Sequence, residues 1–468
     1  MPRVNRDLRL FSALLACSAG VIIVLSTSPA YAIPAFARQY GTSCQTCHTV
    51  FPALTPFGEA FRRNGFRFPG INSEALDQEP TSMGSPAFRS LFPHSVWPSS
   101  VPRGVPLSVG ISGSAVAHPD ANSGGAAADD GAAFTLDGLA AEASIWGGGP
   151  IDDQITFFVE LSASEEGLEF EHGELHFGDI AGPQHWLNLA VGRRAPTLSS
   201  FGMHSSYLVD MRFTSASLTA LYGADEGALD VMGGSTGIEL NGVIGGFFDY
   251  AFGIHSGTSI DVRNTQDAYA QIGFKLGGMR LDGEPGGALP DATHPWGETA
   301  LTVDFFAQRA QSQASNPDAT TADLTLDVRT LAFGGGIRAQ WGSLLLDSGA
   351  LLQIDDHAQA DNRGARMFVE WNELSYVALP WLVPAVRFEY ISLMPEGGQT
   401  VSDYRITPGV AALIRANVKV VLEGWFEGAS GAPPAGWAPA MGLADPTSPM
   451  TNVGIENEGI ALNLDYAF

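Results

Sequence analysis

Lysine is almost missing from this chain. Lys275 and Lys419 are the only two among 24 basic residues, against 50 acids, for a net charge of -26 over 468 residues. A nucleic-acid partner needs a basic patch, and so acidic a balance argues against such a partner. Charge of either sign is scarce, at 16%, against roughly a quarter in an ordinary soluble domain. After the first 32 residues no apolar run approaches the ~18 residues of a membrane-spanning helix, which excludes a helical membrane protein. Cysteine is nearly absent too: Cys17 lies in the N-terminal apolar run, and Cys44 and Cys47 are the others. What the chain does hold is glycine, 55 in all, and 45% hydrophobic residues, too many for a disordered chain.

The first 32 residues read as an export signal. Arg3, Arg6 and Arg9 precede the apolar stretch from Leu10 to Leu25, and Ala30-Tyr31-Ala32 is a cleavage site that leaves Ile33 first. Leu14-Leu15-Ala16-Cys17 resembles a lipoprotein box, but cutting there leaves Val21 to Leu25 on the mature end.

Residues 44 to 48 read Cys-Gln-Thr-Cys-His. The Cys44 and Cys47 thiols can each form a thioether with a haem vinyl group, and His48 can bind the iron. The competing readings are a redox pair, which requires a βαβ context not visible here, and a small disulfide loop. Downstream, Thr55-Pro56 is a helix start, Phe57 and Phe61 share a face, and Asn64-Gly65 is a stop. Phe51, Phe66 and Phe68 add aromatic cover. Residues 33–70 therefore form a haem module of a loop, the motif and one short helix. Arg38, Arg62, Arg63 and Arg67 against Glu59 make it basic, able to meet haem propionates, the acidic remainder of the chain or solvent. One helix cannot sandwich a macrocycle, so the rest of the chain is expected to cover it. Met83 and His94 are the nearest candidates for a distal iron ligand.

Residues 71–105 hold Pro80, Pro86, Pro93, Pro98 and Pro102 and read as a linker or plug. From 106 to 468 the pattern changes to strands of about ten residues with alternating character, separated by Gly, Asp, Asn and Pro turns. In 155–161, Ile155, Phe157, Val159 and Leu161 oppose Thr156 and Glu160; in 418–426, Val418, Val420, Leu422, Gly424 and Phe426 oppose Lys419, Val421, Glu423 and Trp425. Leu462, Leu464, Tyr466 and Phe468 alternate with Ala461, Asn463, Asp465 and Ala467, a C-terminal strand of the kind that ends bacterial outer-membrane barrels. At roughly 23 residues per strand and connection, this length predicts an antiparallel transmembrane β-barrel of about 16 strands, an all-β fold in contact with outer-membrane lipid. A large soluble β protein is the alternative.

Of the 50 acids 48 lie beyond residue 70, in loops able to attract a cation but equally read as solvated. Leu168, Phe170, His172, Glu174 and His176 fall on one face by simple alternation, near Glu165 and Glu166. The three polar ones read chiefly as lumen lining, and alternatively as a cation site. The irregular stretch from Arg193 to Ser206, with His204, is a candidate for folding inward.

The start Ile33-Pro-Ala-Phe-Ala-Arg-Gln-Tyr-Gly-Thr-Ser-Cys44-Gln-Thr-Cys47-His48, with Leu54-Thr-Pro-Phe-Gly58 and Phe61 to Phe66, resembles the fused monohaem cytochrome–porins of bacterial outer membranes, among them the outer-membrane iron oxidases. Tyr40 stands where members commonly have Thr. The resemblance implies one covalent haem c on Cys44, Cys47 and His48 at or in the mouth of the barrel. It implies a Gram-negative outer-membrane location with the module on the periplasmic side. It also implies electron transfer from an extracellular donor such as Fe(II) to a periplasmic carrier, an iron:cytochrome c oxidation. A solute porin regulated or plugged by its haem module, and a soluble periplasmic haem enzyme, are the competing functions.

Overall fold

The computed structural model describes residues 35–69, 81–82, 100–101, 107–117, 134–151, 154–164, 167–198, 204, 206–209, 235–255, 267–283, 294–315, 325–356, 364–430 and 456–467. The proposed signal, Met83, His94, most of the Pro-rich segment and Phe468 lie outside them.

Alternation is the dominant local rule here, and besides a two-residue pair, Thr81–Ser82 with Ser100–Val101, it produces the sixteen strands of a barrel: β1 (Leu107–Ala117), β2 (Phe134–Pro150), β3 (Ile155–Ser164), β4 (Gly167–Phe177), β5 (Asn188–Arg194), β6 (Ser235–Ile244), β7 (Phe248–His255), β8 (Asp267–Gly277), β9 (Glu298–Ser315), β10 (Thr325–Gly342), β11 (Leu344–Asp356), β12 (Ala365–Tyr376), β13 (Leu382–Pro395), β14 (Val401–Arg415), β15 (Val418–Ser430) and β16 (Glu456–Ala467). Each pairs antiparallel with its chain neighbours, and β16 pairs with β1, from Ile460 opposite Ala117 to Ala467 opposite Gly110. Closure leaves no unpaired edge, the condition for strands in lipid.

The two faces of the wall have inverted polarity. Outward lie Ile238, Phe252, Phe274, Phe305 and Phe426, all well exposed. Inward lie Glu239, Arg387, Glu389 and Glu423, each 1% exposed or less. A soluble protein would hide the first set and wet the second, so the soluble-enzyme reading is excluded. Trp341, at 78% exposure, with Tyr376 and Trp381, rims the apolar belt, as aromatic girdles do in such barrels. In β15 the expected faces hold: Leu422 and Phe426 point out, while Lys419, Glu423 and Trp425 are buried.

The stripe in β4 is corrected. Glu160 pairs with His172 but Leu161 with Phe170, so Glu171 is an extra residue and the alternation flips there. Leu168 and Phe170 are exposed, and the Phe170 ring covers outward-facing Gly173; Glu174 and His176 are buried. The bulge lets two apolar residues reach lipid while the polar ones keep to the lumen.

Connections at one end are mostly short, such as residue 343 between β10 and β11, and 416–417 between β14 and β15, with 278–297 the exception. At the other end the longest reach 195–234 and 431–455, although only 165–166 separate β3 from β4. The short-turn end of such barrels faces the periplasm.

Candidate functional site

The N-terminal segment forms three helices, α1 (Ala35–Gln39), α2 (Cys44–Cys47) and α3 (Pro56–Arg63), where the sequence pointed to one. The extra two are a single turn or so each, too short for a periodicity signal. Ser43 caps α2 by accepting from the Gln45 amide, and Thr55 caps α3 by accepting from the Gly58 amide at 3.1 Å. Asn64 ends α3.

The segment sits in the short-turn mouth of the barrel. Gln45 Nε2 donates to the Pro380 carbonyl in the turn between β12 and β13, and Asn64 Nδ2 to the Asp282 carbonyl. Arg67 pairs with Asp179 at 3.1 Å, Arg63 with Asp249 on β7 at 3.6 Å, and Arg338 on β10 with Glu59 at 3.2 Å. Phe36 and Phe66 stack near Phe158 of β3. Gly65 has φ +65°, and a Cβ there would lie 1.9 Å from the His176 ring, so this glycine lets the module rest on the wall. From the long-loop side the stretch expected to turn inward begins in β5 with Arg193 and Arg194, and of its described residues Leu198 and Ser206 are buried; just beyond it Tyr207 and Leu208 are buried and pack with Val50 and Ala53 beside the motif.

No family model matches the chain, and no curated protein matches it in sequence. Solved structures do. OmpT of Vibrio cholerae matches with a TM-score of 0.50 and 12% identity, covering 77% of this chain and 97% of that one. An anion-selective porin from Comamonas acidovorans matches with a TM-score of 0.51 and 12% identity, covering 77% and 98%. The fold is that of an outer-membrane porin.

Within this porin fold the predicted residues of the motif stand together. Cys44 and Cys47 are free thiols one helical turn apart. The His48 amide donates to the Cys44 carbonyl at 2.9 Å, and His48 Nδ1 lies 3.2 Å from the Pro52 carbonyl, which turns Nε2, on the far side of the ring, away from that oxygen. Burial pushes the Cys47 thiol up to about 12, with Cys44 adding to it, and burial also raises Cys44. A redox pair needs a lowered thiol pKa, so this environment disfavours that reading. Burial holds His48 below its usual value, against the hydrogen bonds its ring donates to the backbone at Pro52 and Ala53, and so favours the neutral imidazole that binds metals. Phe57, Phe61 and Phe68 form a buried cluster with Phe36, Tyr40, Phe66 and Cys47 around it.

This donor set fits a c-type haem: two unpaired thiols, an oriented neutral imidazole and an aromatic lining. Arg62 adds a second fit. It makes no salt bridge with a described residue, and burial lowers its basicity against the pull of Glu59, so a propionate would suit it. Arg63 and Arg67 meet wall carboxylates instead.

The His172, Glu174 and His176 stripe is lumen lining. Glu174 pairs with Arg194 at 2.8 Å, and no group of three ligating side chains able to hold a metal occurs among the described residues. His204 was visible in the sequence only as part of an irregular stretch; in the fold its Nδ1 lies 3.4 Å from the same Pro52 carbonyl that His48 meets.

Two expected results follow from this geometry. A Cβ at Gly58 would lie 2.1 Å from the Cys47 carbonyl, and the obstacle is backbone. Gly58→Ala should displace α3 from the motif at a cost of about 1–3 kcal/mol, measured as a fall in the module's resistance to protease while the barrel remains folded. Glu59 supplies a pH dependence. Burial opposes its charge, but Arg63, Arg338 and Arg62 hold it down to about 2 from an ordinary 4.5. Its contribution to seating the module is thus complete above the ordinary value and is lost as pH falls toward 2. Protease release of the module should rise across that window, and Glu59→Gln should flatten the profile.

Proposed function

We propose that this outer-membrane barrel conducts electrons from an extracellular donor, with ferrous iron the first choice, through one c-type haem on Cys44, Cys47 and His48 to a periplasmic carrier. The observation that carries the reading is the seat of the Cys44–His48 motif: inside the short-turn mouth, held by wall residues and approached by the inward stretch from the opposite side. Bound there, a haem supplies one-electron chemistry. The chain's own part is positional. α2 presents both thiols on one turn, Pro52 fixes the His48 tautomer, the aromatic cluster excludes water and Arg62 offers a charge to a carboxylate. Each turnover takes one electron from the donor, so ferrous iron leaves as ferric, and the carrier leaves reduced by one electron.

The test is anaerobic stopped-flow absorbance of the purified full chain in detergent, mixed with ferrous iron. A reduced c-type spectrum should develop rapidly. A haem that reduces with dithionite but not with iron would remove iron as the donor. A second reading, a solute porin plugged by its module, draws support from the ion pairs that tie α3 and the segment after it to separate parts of the wall. Under that reading the double variant Arg63→Ala/Arg67→Ala gains single-channel conductance in a planar bilayer, while iron leaves the haem oxidised.

A further inference from the structure

Two imidazoles converge on one oxygen. His48 Nδ1 stands 3.2 Å and His204 Nδ1 3.4 Å from the Pro52 carbonyl. A carbonyl only accepts, so each ring donates through Nδ1. His204 is not a chance neighbour. Its main-chain carbonyl accepts from the Leu54 amide at 3.0 Å, and two residues on, Ser206 and the Tyr207 amide are fixed to Glu373 on β12 at 2.6 and 2.9 Å. The inward stretch therefore delivers this imidazole to the turn that follows the motif.

The shared acceptor limits what His204 can do. Imidazoles on opposite faces of one haem iron point their Nδ1 atoms away from each other, across both rings and the metal. Two rings whose Nδ1 atoms meet at a single oxygen do not have that arrangement. His204 stands on the His48 side of the site, where the tautomer and basicity of a metal-binding His are set by what its other nitrogen meets.

We propose that His204 is a positioning residue for His48 that raises the reduction potential of the haem by sharing the Pro52 carbonyl. The inference rests on the haem reading given above. An oxygen that accepts from two donors polarises each less than it would polarise one alone. With His204 in place, the His48 Nδ1–H is held more weakly and the ring donates less electron density to the iron, which disfavours the ferric state. Without the His204 donor, the Pro52 carbonyl pulls on His48 alone, and the ferric state gains.

The experiment is spectroelectrochemistry of the full haem-loaded chain with His204→Leu, His204→Gln and Leu198→Ala. Leu fills the space and has no donor; Gln keeps an N–H donor; Leu198→Ala disturbs the same stretch within a buried cluster that holds no residue of the motif. For His204→Leu the ratio of reduced to oxidised haem at a fixed applied potential should fall about three- to tenfold, roughly 30–60 mV for one electron. His204→Gln should restore most of it, and Leu198→Ala should leave it within about twofold of the parent. An unchanged or raised potential in His204→Leu overturns the proposal, as does an equal fall in Leu198→Ala, which would make the effect structural. Conversion from low-spin to high-spin absorption in both His204 variants would make His204 an iron ligand and overturn it differently. If His204→Leu fails to load haem, His204→Gln against His204→Met decides by the same ratio. Absence of a pyridine haemochrome from the parent chain is the separate outcome in which the haem reading itself fails.

Discussion

Cys47→Ala is expected to give a barrel that folds and inserts yet keeps less than about a tenth of the parent's covalently bound haem. The Cys47 side is where the motif is enclosed: its thiol packs with the Phe57, Phe61 and Phe68 cluster, and its carbonyl accepts from the Thr55 amide at 2.9 Å. Cys44 is the less deeply enclosed of the two. A lone thioether there leaves the macrocycle without its second anchor and without a fixed angle to His48. The barrel is indifferent to the change, because no strand pairing includes residue 47. Acid–acetone extraction separates the cases: haem should leave the variant and stay on the parent. Loss from the parent as well would dismiss the thioether reading, and retention in both would show that the Cys44 thioether forms and holds alone. An unmodified parent carrying a Cys44–Cys47 disulfide would favour the plug.

Glu373→Leu should be the most destabilising single change in the lumen, at about 3–5 kcal/mol. Glu373 accepts from Arg387 at 2.7 Å, from Ser206 at 2.6 Å, from the Tyr207 amide at 2.9 Å and from Ser375 at 3.1 Å. Both Glu373 and Arg387 are 1% exposed, so the remaining guanidinium would lose its nearest carboxylate in a place water scarcely reaches. Removing both charges is another matter. Apolar replacement of a buried pair is often neutral, so Glu373→Leu/Arg387→Leu should recover much of the loss. Urea titration in detergent micelles, read by the gel-mobility shift of folded barrels, measures this. Equal losses in the single and double variants would show that anchoring of Ser206 and Tyr207, and not charge, is what matters.

Much of the architecture was legible because period two is a local property. The faces of β15, the count near sixteen and the Thr55–Pro56 start of α3 need only neighbouring residues. The stripe from Leu168 to His176 was misread for a physical reason: one extra residue at Glu171 inverts every later side chain, and no local signal marks it. The contacts that build the site were not legible either. Arg338 meets Glu59 across 279 residues of chain, and His204 meets the Pro52 carbonyl across 152. Such partners are chosen by barrel register and strand order, which composition and spacing do not encode. The five-residue motif itself was readable because its chemistry is contained within one helical turn.

Chain enters the barrel from both directions, the N-terminal segment at one mouth and residues 206–209 from the other. An unobstructed cylinder of this strand number lets antibiotics, bile salts and nutrients diffuse through the envelope. Segments lying in the lumen narrow that path, so a barrel of this kind would cost the sieving barrier of the envelope less than an open channel of the same strand number.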